Sequence, residues 1–200
     1  GHPFLHRFWP VLEAHAGVTH FRRAFVPLCG ASPDMRWLRA RGTAIVGVDL
    51  APQALATFFA DAGLAPAVDR VCLFERHSAH DIELLAGDIF DVDAESLGTF
   101  DAIYDRAALV ALPGAQRARY AERLAALARP GTRMLLVTVE YDAPASGPPY
   151  CVPADEVAAL HGAAFTLAPL DTMDVTADSP RLRERGATRV LERAFELVRR

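Results

Sequence analysis

The sequence predicts an α/β fold: a mostly parallel sheet with helices on both faces and an antiparallel last strand. Two observations lead to this prediction. Short apolar runs alternate with amphipathic runs along the first two thirds of the chain, and the later apolar runs follow one another without a long intervening helix. Alternation of this kind is typical of βαβ units, whereas late strands without a crossover helix favour an antiparallel edge.

The first half of the chain shows the alternation most clearly. Apolar residues between Leu5 and Leu12 recur at helical spacing, which predicts a short helix or helical turn over residues 4–15 despite Pro10. Residues 64–81 show no regular pattern. The other elements predicted here are strands at 24–28 and 44–50 and helices at 33–41 and 52–63.

From residue 82 onward the sequence predicts five further strands and two helices. A Pro- and Gly-rich segment at 143–153 is expected to be a loop. No repeat and no linker composition is visible, so we expect a single domain over residues 1–200. The elements predicted are strands at 82–90, 100–105, 134–141, 165–170 and 188–198, a helix at 115–128 and a short helix at 155–161.

Composition excludes several classes of protein. A net charge of -4, with acids interspersed among the bases, gives no general attraction for nucleic acid. The chain has no apolar run of about 18 residues and no signal-peptide pattern, so we expect no membrane partner and a cytoplasmic location. The 3 cysteines form no CxxC pair, which argues against a disulfide framework or a zinc site. Lysine is absent, which excludes a Schiff-base lysine and a Walker A loop.

The ends of the first two predicted strands carry residues suited to binding a nucleoside. In an open α/β sheet the ligand lies beyond the carboxyl ends of the strands. The first strand ends in Leu28-Cys29-Gly30, where glycine lets the backbone approach a ligand. The second ends in Asp49, 19 residues after Gly30, a separation at which a carboxylate commonly binds the two hydroxyls of an adenosine ribose. Asp49 could instead simply cap the following helix.

The next two strand ends complete this pattern. The third ends in Gly87-Asp88-Ile89, where an acid can reach an adenine amino group and an apolar side chain can cover the ring. The fourth ends in Tyr104-Asp105-Arg106. A pyrophosphate needs the close approach that a GxGxxG loop provides, and FVPLCGASP has one glycine. The loop therefore favours S-adenosylmethionine over a dinucleotide, and a methyltransferase over a dehydrogenase.

Four segments together resemble the thiopurine S-methyltransferase family: FVPLCGASPDMRWLRARGTAIVGVDLAPQAL, ELLAGDIFDV, YDRAALVALP, and EYD followed by GPP. The resemblance extends over nearly the whole chain and is to the bacterial type. It implies a Rossmann-like class I methyltransferase with seven strands. It also implies S-adenosyl-L-methionine as the methyl donor, released as S-adenosyl-L-homocysteine, and an aromatic or heterocyclic, thiopurine-like thiol as the small-molecule acceptor.

The resemblance assigns roles by position. Arg106 is implied on the cofactor and acceptor side, and Arg181 in SPRLRERG as a second substrate-side arginine; both would favour the anionic form of the thiol. The chain departs from the family at Ala31, where lysine is usual, and it begins after the family's Trp-bearing lid segment, which we therefore expect to be missing before Gly1. The cofactor-binding residues implied are Leu28, Cys29, Gly30, Asp49, Asp88, Ile89 and Arg106.

Several alternatives stay open at this level. Methylation of selenium, tellurium or halide species would use the same cofactor. An NAD-dependent oxidoreductase and a non-catalytic cofactor-binding module are the other classes considered. RHSAHD offers His77, His80 and Asp81 as metal ligands, but an exposed insertion is the simpler interpretation, so no metal is predicted. Nothing in the sequence demands an oligomer, and a monomer is expected.

Overall fold

A computed structural model of the chain describes residues 1–144 and 147–200, which form two compact units, Gly1–Tyr104 and Asp105–Arg200. The described residues form nine strands, against the seven expected, while the α/β class is as predicted. No described helix has the length and apolar character needed to cross a membrane. The single domain stays a prediction. The predicted loop at 143–153 includes residues 145 and 146, which lie outside the described ones.

The first unit alternates helices and strands as the sequence predicts. The helix at the start of the chain is longer than a turn and runs through Pro10. The elements are α1 (Pro3–His15), β1 (Arg23–Pro27), α2 (Asp34–Ala40), β2 (Ala44–Asp49), α3 (Pro52–Asp61), β3 (Ala67–Val71), β4 (Phe74–Ala79), β5 (Ile82–Ala86), a 3₁₀ turn (Ile89–Asp91), α4 (Ala94–Leu97) and β6 (Ala102–Arg106).

The sheet of the first unit has the strand order β3-β4-β5-β2-β1-β6. The pairs β2–β5, β1–β2 and β1–β6 are parallel, so the carboxyl ends of these strands lie at one edge. Close packing supports the arrangement at Gly47, where a Cβ would lie 2.8 Å from Cδ2 of Leu84 and 2.9 Å from Sγ of Cys29. Any larger residue at this position of β2 would push β5 or the loop after β1 away.

The hairpin β3–β4 was not predicted, because the sequence there shows no alternation. β3 is an edge strand, paired antiparallel with β4 only, and four of its five residues are exposed. An edge strand without a buried face leaves no period-2 pattern to detect. The interpretation of RHSAHD as an exposed insertion was wrong for His77, which lies in β4, is 9% exposed and stacks on Phe59.

The second unit begins with a 3₁₀ turn (Leu109–Ala111) and contains an antiparallel sheet in the order β7-β9-β8. The antiparallel last strand is confirmed: β9 pairs antiparallel with both neighbours. The sequence missed the five-residue helix α7, which is too short to show helical periodicity. The elements are α5 (Gly114–Leu127), β7 (Arg133–Tyr141), α6 (Ala154–His161), β8 (Phe165–Asp174), α7 (Pro180–Glu184) and β9 (Val190–Arg199).

Candidate functional site

The loop between β1 and α2 turns sharply through two residues with positive φ. Leu28 has φ 45° and Gly30 has φ 50°. A Cβ on Gly30 would have only Oδ2 of Asp49 within 4 Å, at 3.9 Å, so glycine is needed here for its conformation and not for lack of space. A non-glycine residue with positive φ, such as Leu28, is uncommon and often marks a functional site.

Asp49 binds this loop directly. Its Oδ2 accepts a hydrogen bond from the Gly30 N–H at 2.8 Å, and its Oδ1 accepts one from the Ala51 N–H at 2.9 Å, next to the start of α3. Ala51 is the N-cap of α3, and no side chain caps this helix, so Asp49 holds the turn before α3 and does not cap the helix itself. A carboxylate has about four acceptor positions, and the half-buried Asp49 retains capacity for further donors.

Cys29 lies between Leu28 and Gly30 with its thiol buried, 4% exposed. Burial raises the pKa of the Cys29 thiol far above its usual value, and the negative charge of Asp49 raises it further. The thiol therefore stays protonated and does not act as a nucleophile. Cys29 contributes its backbone to the loop, where its N–H donates to the Val48 carbonyl at 3.0 Å.

The end of β5 lies beside the end of β2. The Gly87 N–H donates to the Asp49 carbonyl at 2.9 Å, which joins the two strand ends. The next residue, Asp88, is exposed and its Oδ1 accepts the Phe90 N–H at 2.9 Å, so it begins the 3₁₀ turn. Ile89 is 5% exposed and belongs mainly to the core. The structure thus brings Gly30, Asp49 and Asp88 to one edge of the sheet.

Two exposed apolar residues at this edge were not singled out from the sequence. Leu50, directly after Asp49, is 73% exposed, and Leu73, in the turn between β3 and β4, is 75% exposed. Because Glu75 of β4 pairs with Ala86 of β5, that turn lies at the edge where β5 ends. A leucine immediately after a strand-end acid is the sequence signal that could have identified Leu50.

The middle of β6 is connected to α2 by a buried hydrogen bond. The Tyr104 hydroxyl donates to Oδ2 of Asp34 at 2.8 Å, and Oδ1 of Asp34 accepts the His2 N–H at 2.8 Å. Tyr104 is 1% exposed and Asp34 is 2% exposed. The partners are 70 residues apart, so spacing along the chain gives no hint of this pair.

In the second unit, Asp105 is fully buried and organises the residues that follow it. Its Oδ2 accepts the Tyr120 hydroxyl at 2.8 Å and its Oδ1 accepts the Leu109 N–H at 3.2 Å. Burial raises the pKa of Asp105 to about 6, against the lowering effect of these hydrogen bonds. Ala107 has φ 67°, a strained value for alanine, and the exposed Arg106 lies between these two residues.

A cavity of about 170 Å³ lies within the second unit. Much of its lining is apolar and buried, with Val110, Val137, Val139 and Leu182 all less than 9% exposed. Arg106, the last residue of β6, lines it together with Ala107, and Glu192 lines it from β9. The described lining thus carries one basic and one acidic side chain among apolar neighbours.

Arg181 is placed near this cavity but is not among the described residues that line it. It is exposed on α7, between the lining residues Ser179 and Leu182. Its neighbour Arg185 instead donates to the carbonyls of Gly147 and Pro148, at 3.2 and 3.3 Å. The second sequence-predicted arginine is therefore less directly connected with the cavity than Arg106.

The histidines considered as metal ligands do not form a cluster. Nε2 of His77 lies 2.7 Å from Oε1 of Glu75 within β4. Over residues 1–144 and 147–200, no group of three or more His, Cys, Asp or Glu side chains is arranged to hold a metal ion.

Comparison with known proteins gives one family over the whole chain. The family model described as thiopurine S-methyltransferase (TPMT) matches residues 1–200. A thiopurine S-methyltransferase of Pseudomonas fluorescens is 42% identical over 199 residues, covering 99% of this chain and 89% of the relative. One from Nitrosospira multiformis is 41% identical over 199 residues, with the same coverage.

Solved structures with much lower sequence identity share the fold. The Burkholderia thailandensis 1,6-didemethyltoxoflavin-N1-methyltransferase, with bound 1,6-didemethyltoxoflavin and S-adenosylhomocysteine, has a TM-score of 0.63 at 21% identity, covering 99% of this chain and 79% of that one. The Haemonchus contortus phosphoethanolamine N-methyltransferase 2, bound to S-adenosyl-L-methionine, has a TM-score of 0.66 at 11% identity, covering 97% and 52%. These likenesses confirm the Rossmann-like methyltransferase fold.

Proposed function

Because this chain belongs to the thiopurine S-methyltransferase family and is an S-adenosylmethionine-dependent S-methyltransferase, we propose that it methylates the sulfur of a small aromatic or heterocyclic thiol. The observation on which the proposal rests is the direct contact of Gly30 with Asp49 at a loop that has one glycine. A dinucleotide pyrophosphate would call for a glycine-rich loop, whereas a nucleoside sulfonium needs one close backbone approach and one ribose-binding acid.

The first unit supplies groups that fit S-adenosylmethionine. The spare acceptor capacity of Asp49 suits the two ribose hydroxyls, and the backbone of Leu28, Cys29 and Gly30 would flank the methionine part. Asp88, which is exposed, would accept from the adenine amino group. When bound, the cofactor supplies an electrophilic methyl group on a positively charged sulfur.

Apolar cover for the adenine ring comes from two positions in this proposal. Ile89 is mostly buried and offers only a small surface, whereas Leu50 exposes most of its side chain beside Asp49. An exposed leucine next to a polar site is apolar area that ligand binding can remove from water. Leu50 is therefore added to Ile89 as a residue covering the adenine.

The cavity of the second unit is the proposed acceptor site. Its apolar walls suit an aromatic ring, and Arg106 supplies a positive charge that favours the thiolate over the thiol. The thiol proton leaves to solvent, and the thiolate lone pair forms the new sulfur–carbon bond. The electron pair of the broken bond stays on the donor sulfur, so thiolate and sulfonium become two neutral thioethers. Arg181 is proposed to add to the positive potential from α7.

No general base is required in this scheme. A thiolate is already a strong nucleophile, and the protein's contribution is to align donor and acceptor. The apolar lining by Val110, Val137 and Val139 also favours a ring-bearing thiol over a halide, or over a selenium or tellurium oxyanion, because a small hydrated anion gains nothing from apolar walls.

The test uses methyl-labelled S-adenosylmethionine with a panel of thiophenol, 2-mercaptopyrimidine, iodide and selenite. We expect label in the two methyl thioethers. Methylation of iodide or selenite alone would overturn the thiol proposal. Calorimetry with S-adenosylmethionine and with NAD adds a binding measurement, and heat with NAD alone would contradict the assignment of the Gly30 loop.

A further inference from the structure

Arg117 lies in α5, is 5% exposed, and connects this helix with three other segments of the second unit. Its Nε donates to the Leu112 carbonyl at 2.9 Å, and its Nη1 donates to the Cys151 carbonyl at 3.2 Å and to Oε1 of Glu156 at 2.7 Å. The guanidinium also lies 5.7 Å from the centroid of the Tyr150 ring. A buried charge is costly unless it is paired and hydrogen-bonded, and these contacts meet that need.

Two of these contacts end in residues 149–152, which we call the wall segment because its first residue, Pro149, lines the cavity. The wall segment is also bonded to two other lining residues. Its backbone N–H groups at positions 150 and 152 donate to the carbonyls of Val110 and Val139, at 2.7 and 2.8 Å. The wall segment therefore belongs to the same cavity wall as these two valines.

The wall segment lies between β7 and α6 and is part of no helix or strand, so individual contacts decide its position. Two side chains contribute: the Tyr141 hydroxyl donates to the Pro149 carbonyl at 2.8 Å, and Arg117 donates to the Cys151 carbonyl. The guanidinium is planar and presents its N–H donors in a fixed geometry. By bonding Leu112 and Cys151 at once, it fixes the wall segment relative to the residues just before α5.

We propose that Arg117 is a positioning residue for the acceptor cavity, which holds the wall segment so that Pro149 stays packed against the bound thiol. The inference rests on the proposed thiol methylation. Arg117 does not belong to the described lining, so it acts through the wall segment and not by contact with the acceptor. Methyl transfer needs a well-oriented acceptor, and a wall that shifts lets the ring of the thiol take several orientations.

The experiment compares the full chain with Arg117→Met and Arg117→Lys, using thiophenol as the acceptor. The matched control is Arg199→Met in β9. Arg199 also donates to backbone carbonyls, those of Ala125 and Ala164 at 3.0 and 3.1 Å, and also lies over an aromatic ring. Its replacement removes the same charge and the same kinds of contact, but it does not belong to the described lining. Melting temperatures establish which variants are folded.

In Arg117→Met we expect KM for thiophenol to rise about tenfold, with a smaller change in kcat, because the shifted wall contacts the ring poorly. The dissociation constant of S-adenosylmethionine, measured by calorimetry, should change by less than about twofold, because the groups proposed to bind it lie in the first unit. Arg117→Lys should recover part of the loss, since lysine keeps the charge opposite Glu156 but lacks the planar fork. Arg199→Met should keep the wild-type KM.

Tyr141→Phe is a second variant that removes only the hydroxyl bonded to Pro149. We expect it to raise KM for thiophenol about threefold, because one neutral hydrogen bond to the wall segment is lost. If Arg117→Met does not fold, this variant and Arg117→Lys decide the question, and a wild-type KM in both would overturn the inference.

Equal changes of KM in Arg117→Met and Arg199→Met would also overturn it, as would a matching loss of S-adenosylmethionine affinity, since either result indicates a structural role only. Methylation of thiophenol by the wild-type chain supports the proposed function whatever the variants do. If the wild-type chain methylates no thiol, the proposed function fails. The positioning role then stands only if calorimetry shows that thiophenol binds more weakly to Arg117→Met than to Arg199→Met.

Discussion

Tyr104 in the middle of β6 and Asp34 in the first turn of α2 form a buried hydrogen bond of 2.8 Å. The other oxygen of Asp34 accepts the backbone N–H of His2, beside the start of α1. One carboxylate thus connects β6 with the entries of two helices in the first unit. Because both side chains are almost fully buried, neither can replace its partner with bulk water.

We predict that Tyr104→Phe destabilises the chain by about 1–3 kcal/mol, because Asp34 loses a donor in a buried position. Urea unfolding followed by circular dichroism gives the free energy of unfolding. Asp34→Ala should cost more, since it removes the acceptor of both Tyr104 and His2. If the double variant loses the sum of the two single losses, the two side chains are not coupled and the importance given to this bond is wrong.

A second prediction concerns the proposed ribose contact. Asp49→Ala should weaken S-adenosylmethionine binding by about 10- to 100-fold, because hydrogen bonds to a charged acceptor contribute about 1.5–3 kcal/mol. Asp49→Glu should keep a large part of the affinity. The control is Asp61→Ala at the exposed end of α3. Calorimetry measures the affinity, and equal binding by Asp49→Ala and Asp61→Ala would contradict the proposed role.

Gly30 offers a separate test of the same loop. Gly30→Ala places a Cβ on a residue with φ 50°, which we expect to destabilise the loop by about 1 kcal/mol. Since space around that Cβ is ample, the variant should fold and bind S-adenosylmethionine more weakly. Gly131→Ala, at φ 86° with nothing within 4 Å of the added Cβ, is the matched control. It should lose similar stability and keep wild-type affinity.

The fourth prediction concerns Arg106. If its guanidinium favours the thiolate, the acceptor bound to the wild-type chain ionises at lower pH than the free thiol. In Arg106→Ala the rising limb of kcat against pH, which reports ionisation in the enzyme–substrate complex, should therefore move to higher pH, towards the pKa of the free thiol. Arg183→Ala, on the exposed surface of α7, controls for the change of net charge. Identical pH profiles of the two variants would contradict the role given to Arg106.

The features that the sequence predicted are those set by short stretches of chain. Gly30 and Asp49 could be paired because parallel strands joined by a helix bring their carboxyl ends to the same edge; in the structure the Gly30 N–H lies 2.8 Å from Oδ2 of Asp49, and their role in binding stays a prediction. The alternation of strands and helices could also be predicted, because apolar residues recur with a different period in buried strands and in amphipathic helices.

The features that the sequence did not reveal are of two kinds. Some are contacts between residues far apart in the chain, and others are elements whose apolar residues do not repeat at a regular spacing. The pair Tyr104–Asp34 spans 70 residues, and Glu192 reaches the cavity only through its register against Val139. The exposed edge strand β3 has no apolar face. Arg181 was predicted by resemblance alone, and its exposed position on α7 beside the cavity leaves its role a prediction.

The last prediction concerns acid stability of the second unit. His161, at the end of α6, is 1% exposed, and neither ring nitrogen has a hydrogen-bond partner among the described residues. Burial lowers the pKa of His161 to about 4. In the unfolded chain the His161 imidazole takes up its proton near pH 6.5. The contribution of His161 to folding stability is therefore fully present above about pH 6.5 and is lost as the pH falls towards 4.

Asp105 changes the folding stability in the opposite direction over nearly the same pH range. Its pKa of about 6 in the folded chain exceeds the unfolded value near 3.9, so the folded state binds this proton first, and the cost of the buried charge is relieved as the pH falls through 6. We expect His161→Phe to flatten the loss of stability between pH 6.5 and 4, and Asp105→Asn to steepen it. Urea unfolding at half-unit pH steps measures both, with the exposed His20→Gln as control; parallel curves for His161→Phe and His20→Gln would refute the assignment.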